Sequence, residues 1–195
     1  MNLPVDSFED YGWSYLNRIE ELLRQADIRG IAKLLKICDE ARLAGKKIYF
    51  AGNGGSAATA SHFAADFLGV NIKKFIEPPF QTVSLCDNAA VTLAFGNDFG
   101  YEKIFVNQLK SLFNVGDVLV VISASGNSPN VVEAVEWANL NGGITVGLVG
   151  FDGGKLLKVC SHSVLCKTEK GEYGPVEDFH MIIDHIINCF LIEHL

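Results

Sequence analysis

Basic residues are scarce in this sequence, and their scarcity limits the partners that the protein can have. Lys and Arg number 16 against 23 Asp and Glu, so the formal net charge is -7. Proteins that bind nucleic acids or anionic membranes usually present basic patches. The composition therefore argues against both classes of partner. A small anionic ligand stays compatible with it, because backbone N–H groups bind anions without any lysine.

Motifs of several common protein classes are also missing. The sequence has no G-x-x-x-x-G-K-[ST] loop for a nucleoside triphosphate and no G-x-S-x-G elbow for a nucleophilic serine. The five cysteines are Cys38, Cys86, Cys160, Cys166 and Cys189, with no C-x-x-C pair among them. Their odd number and scatter favour free thiols in a reducing cytosol. Cys160, His162 and Cys166 lack zinc-finger spacing, which favours a buried strand there over a metal site.

Long hydrophobic runs are absent as well. The longest apolar stretch, FHMIIDHIINCFLI at residues 179–192, is too short and too polar to span a bilayer, and it is typical of a buried helix. Residues 1–13 have neither a basic n-region nor an apolar h-region. We therefore expect no signal peptide, no membrane association and a cytoplasmic location.

Apolar residues are nevertheless plentiful, at 49% of the chain, which is enough for a sizeable core. Helical spacing over residues 7–45 predicts two helices, separated at residues 27–30, within an N-terminal helical arm (residues 1–45). Short β-branched or aromatic runs predict strands at residues 47–51, 81–85, 118–123, 144–149 and 163–166. The other predicted helices span residues 57–70, 88–95, 101–113, 129–141 and 176–194.

The alternation of strands and helices predicts an α/β protein with a parallel sheet that is covered on both faces. No repeat, low-complexity segment or Pro/Gly-rich linker interrupts the sequence. We therefore predict one domain over residues 1–195. Ligands of such folds bind beyond the carboxyl ends of the strands, so functional residues are expected in the loops that follow strands.

The first predicted strand runs into the glycine-rich loop GNGGS. Gly52, Gly54 and Ala57 fit the G-x-G-x-x-G/A pattern of dinucleotide-binding loops. The acidic residue that such a site needs about 20 residues further on is missing, since the second strand ends only at Asp87. Glycines also let a backbone approach a small anion closely, and Ser56 is placed to cap the next helix. A tight structural turn is the simplest alternative.

The third predicted strand runs into the serine-rich loop ASGNSPN. Ser123, Ser125 and Ser128 offer hydroxyl groups, and Pro129 suits the first turn of a helix that has Ser128 as its N-cap. Several neutral donors and a helix dipole together suit a phosphate group. We therefore predict that these serines bind a ligand and are not nucleophiles, with simple helix capping as the alternative.

Two predicted helices carry groups of a kind that bind metals. His62 and Asp66 lie four residues apart on one face of the helix after the glycine loop, among apolar neighbours. The last helix carries Glu177, Asp178, His180, Asp184 and His185. Buried ionisable groups need partners or a metal, so a metal site is expected if both helices reach one cleft.

Three motifs in order, GNGGSAATASHFAAD, GNDFG and ISASGNSPN, resemble the SIS (sugar isomerase) domain family and, within it, the phosphoheptose isomerases. The resemblance covers nearly the whole chain. It implies a three-layer α/β/α sandwich around a five-stranded parallel sheet, and a homotetramer with active sites at subunit interfaces. It also implies conversion of sedoheptulose 7-phosphate to D-glycero-D-manno-heptose 7-phosphate, for lipopolysaccharide or capsule precursors.

The resemblance further implies roles for individual residues. The implied substrate-binding positions are Asn53, Gly54, Gly55, Ser56, Asn97, Asp98, Ser123, Ala124, Ser125, Ser128 and Glu177. The implied divalent metal, usually zinc, is held by His62, Asp66, Glu177 and His185, and the implied catalytic pair is Asp66 and His185. Asp66 stands where the family has Glu, and Glu177 stands where it has Gln. Helical spacing from His185 favours Asp178, which we keep as the alternative ligand.

Two other functions are compatible with the sequence. Some SIS-domain tetramers bind sugar phosphates or partner proteins and regulate without catalysis. Other isomerases of the same mechanism act on a different sugar phosphate. The four ligand-type residues favour an enzyme over a binding protein, because a protein that only binds a sugar phosphate does not need them.

Overall fold

The elements alternate along the chain as the sequence predicts. A computed structural model describes residues 5–195. The helices are α1 (Phe8–Arg24), α2 (Ile28–Leu43), α3 (Gly55–Lys74), α4 (Ala89–Phe99), α5 (Val106–Leu112), α6 (Pro129–Leu140), α7 (Leu156–Val159) and α8 (Tyr173–His194). The strands are β1 (Lys47–Gly52), β2 (Gln81–Ser84), β3 (Val118–Ser123), β4 (Ile144–Phe151) and β5 (His162–Lys167).

The five strands form one parallel sheet in the order β2-β1-β3-β4-β5. Alternate side chains of each strand enter different apolar clusters, as the two-residue period of a strand requires. Phe50 and Val120 pack with α2, α3 and α8 on one face, whereas Tyr49 and Leu119 pack with α5, α6 and α7 on the other. The predicted α/β/α sandwich around a five-stranded parallel sheet is confirmed.

Several boundaries differ from the predicted ones, for local reasons. The helix predicted over residues 101–113 is a 3-10 turn at Tyr101–Lys103 followed by the shorter α5. Gly100, with a φ of 95°, separates that turn from α4. Gly54, with a φ of 54°, is the N-cap of α3. Ser56 therefore lies inside the first turn of α3 and does not cap it. The short α7 has no counterpart among the predicted helices.

The N-terminal arm consists of α1 and α2, and residues 1–4 of the predicted arm lie outside the described residues. The two helices separate where predicted, because the Asp27 carboxylate accepts from the Gly30 N–H at 2.9 Å and caps α2. The arm is tied to α8 by Arg18, which donates from two nitrogens to Glu172 at 2.8 and 2.9 Å. It therefore packs against the helix that carries the candidate ligands.

The segment around β5 holds the Cys160, His162 and Cys166 group. Cys160 follows α7, and His162 and Cys166 belong to β5, where Cys166 is buried. The His162 Nε2 atom lies 2.9 Å from the Gly30 carbonyl oxygen. These side chains therefore join β5 to its surroundings.

None of the helices within residues 5–195 has the length and apolar character that crossing a bilayer requires. Even α8, whose 22 residues exceed the minimum length, has Glu177, Asp178, Asp184 and Glu193 within it.

Candidate functional site

The glycine loop and the serine loop meet at the carboxyl end of the sheet, because β1 and β3 are neighbours in it. They border a pocket of about 80 Å³. Its lining comprises Asn53, Ser56, Ile122, Ser123, Ala124, Ser125, Ser128, Tyr173 and Glu177. Seven of the eleven predicted substrate-binding residues therefore lie around one pocket, where open α/β sheets bind their ligands.

The serine loop leaves its hydroxyl protons free. Ser123 Oγ accepts from the Gly126 N–H at 3.2 Å, and Ser125 Oγ accepts from the Asn127 N–H at 3.3 Å. Ser128 is the N-cap of α6, as predicted, but its hydroxyl makes no capping bond. Each hydroxyl retains a proton to donate, so this loop suits an anion that accepts several hydrogen bonds.

The glycine loop approaches α8 closely at Gly55. A Cβ atom at this position would lie 2.1 Å from Glu177 Oε2, so only glycine leaves room for that carboxylate. Burial, and then the charge of Asp178, raise the pKa of Glu177. The carboxyl group of Glu177 therefore lies at the edge of the pocket, beside the first turn of α3.

Helices α3 and α8 run side by side in the same direction from this contact. Gly55 lies against Glu177 at the pocket end, and His62 lies against Asp184 further along. Still further along, Asn188 Nδ2 donates to Asp66 Oδ2 at 2.6 Å. Seven residues of helix rise about 10 Å, so the second contact lies two turns from the pocket.

A cluster of histidine and aspartate side chains forms at that second contact. It consists of His62, Asp66, Asp184 and His185, each with a ligand-type atom within 4.8 Å of the others. His62 Nε2 lies 3.7 Å from both Asp66 Oδ2 and Asp184 Oδ2. The rings of His62 and His185 are 5.2 Å apart between centroids. Two imidazoles and two carboxylates are donors that zinc and similar divalent metals accept.

Asp184 is the member of this cluster that the resemblance did not single out. It is 1% exposed, and neither carboxylate oxygen has a hydrogen-bond partner among the described residues. Burial, followed by the charge of Asp66, raises the pKa of Asp184 to about 7. A buried carboxylate without a hydrogen-bond donor is stabilised by a cation, so Asp184 fits the role of a metal ligand.

Glu177 and Asp178, the two residues considered as the fourth ligand, lie outside the cluster. Glu177 lies against Gly55, two helical turns away. Asp178 accepts a hydrogen bond from Tyr15 Oη at 2.6 Å and so faces α1. The spacing of residues on one helix does not show which of its residues face another helix.

Asn97 and Asp98 do not line the pocket of the serine loop. They belong to α4, are exposed, and are joined by a hydrogen bond of 2.8 Å from Asn97 Nδ2 to Asp98 Oδ1. A larger cleft of about 840 Å³ separates α4 from α3. Asp87, the acid considered for a dinucleotide, lines this cleft and accepts from Ser61.

The chain is similar to known proteins over most of its length. Residues 14–150 match the SIS domain family. A phosphoheptose isomerase from Maridesulfovibrio salexigens is 40% identical over 150 residues, which cover 77% of this chain and 71% of that protein. A phosphoheptose isomerase from Nitratidesulfovibrio vulgaris is 39% identical over 178 residues, which cover 88% of this chain and 82% of that protein.

Solved structures agree with the sequence matches. A phosphoheptose isomerase from Neisseria gonorrhoeae has a TM-score of 0.83 at 28% identity, covering 97% of this chain and 98% of its own. A phosphoheptose isomerase from Francisella tularensis has a TM-score of 0.85 at 26% identity, and the match covers 98% of this chain and 100% of that protein. The resemblance to phosphoheptose isomerases that three sequence motifs predict is thereby confirmed, and the chain belongs to the SIS domain family.

Proposed function

We propose that this protein is an aldose–ketose isomerase that converts sedoheptulose 7-phosphate to D-glycero-D-manno-heptose 7-phosphate. The observation that carries the proposal is the arrangement along α3 and α8, with the hydroxyl-lined pocket of the serine loop at one end and the His62 cluster two turns away. The choice of substrate follows the relatives, which are named phosphoheptose isomerases. In the cell, the product would enter lipopolysaccharide or capsule precursors.

The serine loop holds the phosphate group in this proposal. Ser123, Ser125 and Ser128 donate hydroxyl protons, and the N-terminus of α6 adds its dipole. Since the pocket and the cluster are about 10 Å apart along α3, a substrate must be extended to reach both. Binding energy at the phosphate then places distant carbons beside the cluster.

A divalent metal, zinc in the first instance, would be held by His62, Asp66, Asp184 and His185. The donor set fits it, and the two unpartnered Asp184 oxygens need a cation. When bound, such an ion supplies Lewis-acid polarisation of the sugar carbonyl. Asp184 replaces Glu177 in the ligand set implied by the resemblance, and Glu177 contacts the substrate at the pocket.

Isomerisation moves a proton between two adjacent carbons through an enediol, which requires a base and a second acid–base group. Asp66 takes the proton from one carbon and returns it to the next. Asn188 Nδ2 donates to Asp66 Oδ2 at 2.6 Å. This hydrogen bond orients the carboxylate and so fixes the direction in which Asp66 Oδ1 faces. His185 transfers protons between the substrate oxygens.

We further propose that the protein is a cytoplasmic homotetramer. Helix α4 buries none of its residues in the chain as described, although it is largely apolar. Leu93 and Phe99 are 72% and 57% exposed. A neighbouring subunit against α4 would cover this surface, and it would bring Asn97 and Asp98 to a site shared between subunits.

The decisive experiment is turnover of sedoheptulose 7-phosphate by the wild type and by the variants Asp66→Asn and His185→Gln. We expect turnover by the wild type and a loss of about 100-fold or more in kcat for each variant, because each removes a proton-transferring group. Full activity in both variants would refute the assignment of these residues. Phosphorylated hexoses and pentoses are assayed in parallel as alternative substrates.

A non-catalytic regulator is the alternative of a different class. It predicts that the purified wild type binds a sugar phosphate, turns none over and holds no stoichiometric metal. Metal content and turnover of the same sample separate the two functions.

A further inference from the structure

The side chain of Asn53 in the glycine loop is joined to Asn130 by two reciprocal hydrogen bonds. Asn53 Nδ2 donates to Asn130 Oδ1 at 2.9 Å, and Asn130 Nδ2 donates to Asn53 Oδ1 at 2.8 Å. Asn130 is the second residue of α6 and is 1% exposed. The sequence motifs place Asn53 among substrate-binding residues but assign nothing to Asn130. The pair joins the loop after β1 to the helix after β3.

A backbone group determines which way both amides face. The Val131 N–H, which can only donate, lies 3.0 Å from Asn130 Oδ1. The atom beside it must therefore be the Asn130 oxygen, which leaves the Asn130 nitrogen to face Asn53. The atom that accepts from this nitrogen must in turn be the Asn53 oxygen. The orientation of the two side chains thus follows from one backbone donor.

Tyr101 completes the network. Its hydroxyl donates to Asn53 Oδ1 at 2.8 Å, so that oxygen accepts two hydrogen bonds and has no lone pair left for a ligand. Asn53 Nδ2 has one acceptor, Asn130 Oδ1, among the described residues, and its second proton is free. Asn53 lines the pocket of the serine loop. At the edge of that pocket, the Asn53 side chain therefore has one N–H left to donate and no lone pair left to accept.

We propose that Asn130 and Tyr101 are positioning residues that hold the Asn53 amide as a dedicated hydrogen-bond donor to an oxygen of the phosphosugar. The proposal rests on the proposed function. A donor held in place before the substrate arrives needs no reorganisation, so it favours an oxygen that carries or develops negative charge. Without Asn130, the hydrogen bond from Tyr101 alone holds the Asn53 amide, which can then rotate and present its oxygen to the substrate instead.

The test is a double-mutant cycle between Asn53 and Asn130, read as kcat/KM for sedoheptulose 7-phosphate and as Kd for the same compound by calorimetry. Asn130→Asp is the main variant, because the carboxylate matches the amide in shape and still accepts from Val131 but cannot donate to Asn53. Asn130→Ala is the second variant. Asn139→Ala is the control, since Asn139 lies at the other end of α6 and its side chain bonds Thr145 and Val159.

We expect Asn130→Asp and Asn130→Ala to lower kcat/KM about 10- to 100-fold, while Asn139→Ala changes it less than about threefold. In the Asn53→Ala background, both Asn130 substitutions should change kcat/KM less than about threefold, because a residue that acts through Asn53 has no effect without it. Tyr101→Phe should reduce kcat/KM by a smaller factor, with the same dependence on Asn53. A general structural role would instead lower activity equally in both backgrounds.

Equal losses in the two backgrounds, or full activity of both Asn130 variants, would overturn the inference while the isomerase function stands. If the wild type binds the phosphosugar without turnover, the proposed function fails, and the same cycle in Kd still decides the role of Asn130. A wild type that neither binds nor turns over the phosphosugar overturns both.

Discussion

Asp184 and His180 lie one turn apart on α8, and burial shifts their pKa values in opposite directions. The pKa of Asp184 rises to about 7, and the pKa of His180 falls to about 4. Both shifts favour the neutral form, because a buried charge loses its hydration. Asp184 differs in facing two histidines and a second aspartate, where a bound divalent cation would compensate its charge.

Asp184→Asn should weaken zinc binding about 10- to 100-fold, because an amide is a weaker ligand than a carboxylate. Glu177→Ala, which removes any ligand atom at that position, is the control, and it should retain the wild-type zinc content, since Glu177 lies two turns from the cluster. Metal analysis and competition with a chelator measure both. If Glu177→Ala loses zinc and Asp184→Asn keeps it, the ligand set implied by the family resemblance is the correct one.

His180 should make stability depend on pH. Burial, partly offset by the backbone of Val149, lowers its pKa from 6.5 to about 4. Between these pH values the unfolded chain binds more protons at His180, so the contribution of this residue to the free energy of unfolding falls as pH falls from 6.5 towards 4. The raised pKa of Asp184 acts in the opposite direction over the same range. The lowered pKa corresponds to at most about 3 kcal/mol.

Denaturant unfolding between pH 7.5 and pH 4.5 tests this dependence. As pH falls over this range, His180→Gln should lose less stability than the wild type, so the difference in free energy of unfolding between the two should change with pH. The control His194→Gln, which alters an exposed histidine at the end of α8, should keep the wild-type slope. Parallel profiles for wild type and His180→Gln would contradict the assignment.

At the scale of elements, the close approach of α3 to α8 depends on Gly55. Gly55→Ala should weaken phosphosugar binding about tenfold, because its methyl group displaces the Glu177 carboxylate from the pocket. Stability should change little, since the end of a glutamate side chain moves easily. Gly69→Ala, also in α3 but with no atom within 4 Å of the added Cβ, should leave binding unchanged.

Calorimetric Kd values and thermal unfolding of the two glycine variants provide the measurements. Gly69→Ala should stabilise the protein by up to about 1 kcal/mol, because alanine favours a helix over glycine. Equal Kd values for Gly55→Ala and the wild type would show that the position of Glu177 does not matter for binding.

At the scale of the whole molecule, α4 provides the test of assembly. Leu93→Asp should convert the proposed tetramer into smaller species, because it places a charge on the exposed apolar surface of α4. Leu140 is the last residue of α6 and is 86% exposed. Leu140→Asp is therefore the control, and it should leave the mass of the assembly unchanged. Light scattering measures the mass of each. A wild-type monomer would refute the tetramer, and a tetrameric Leu93→Asp would move the interface away from α4.

The order of elements, the parallel sheet and the positions of the glycine and serine loops were predictable from the sequence, because each depends on local patterns. The five strand segments are short apolar runs, and β1 and β3 end in the glycine and serine loops where the motifs place them. The same local patterns also allowed the family to be recognised, because its sequence motifs include the glycine loop and the serine loop.

The fourth residue of the cluster and the network around Asn53 were decided by the tertiary structure alone. Helical periodicity shows which residues share a face of α8, but the choice between Asp184 and Glu177 depends on the alignment of α8 against α3. Asn53 and Asn130 are 77 positions apart and lie on different elements. Contacts between distant segments depend on how the elements pack, and packing distances are not encoded in any single stretch of sequence.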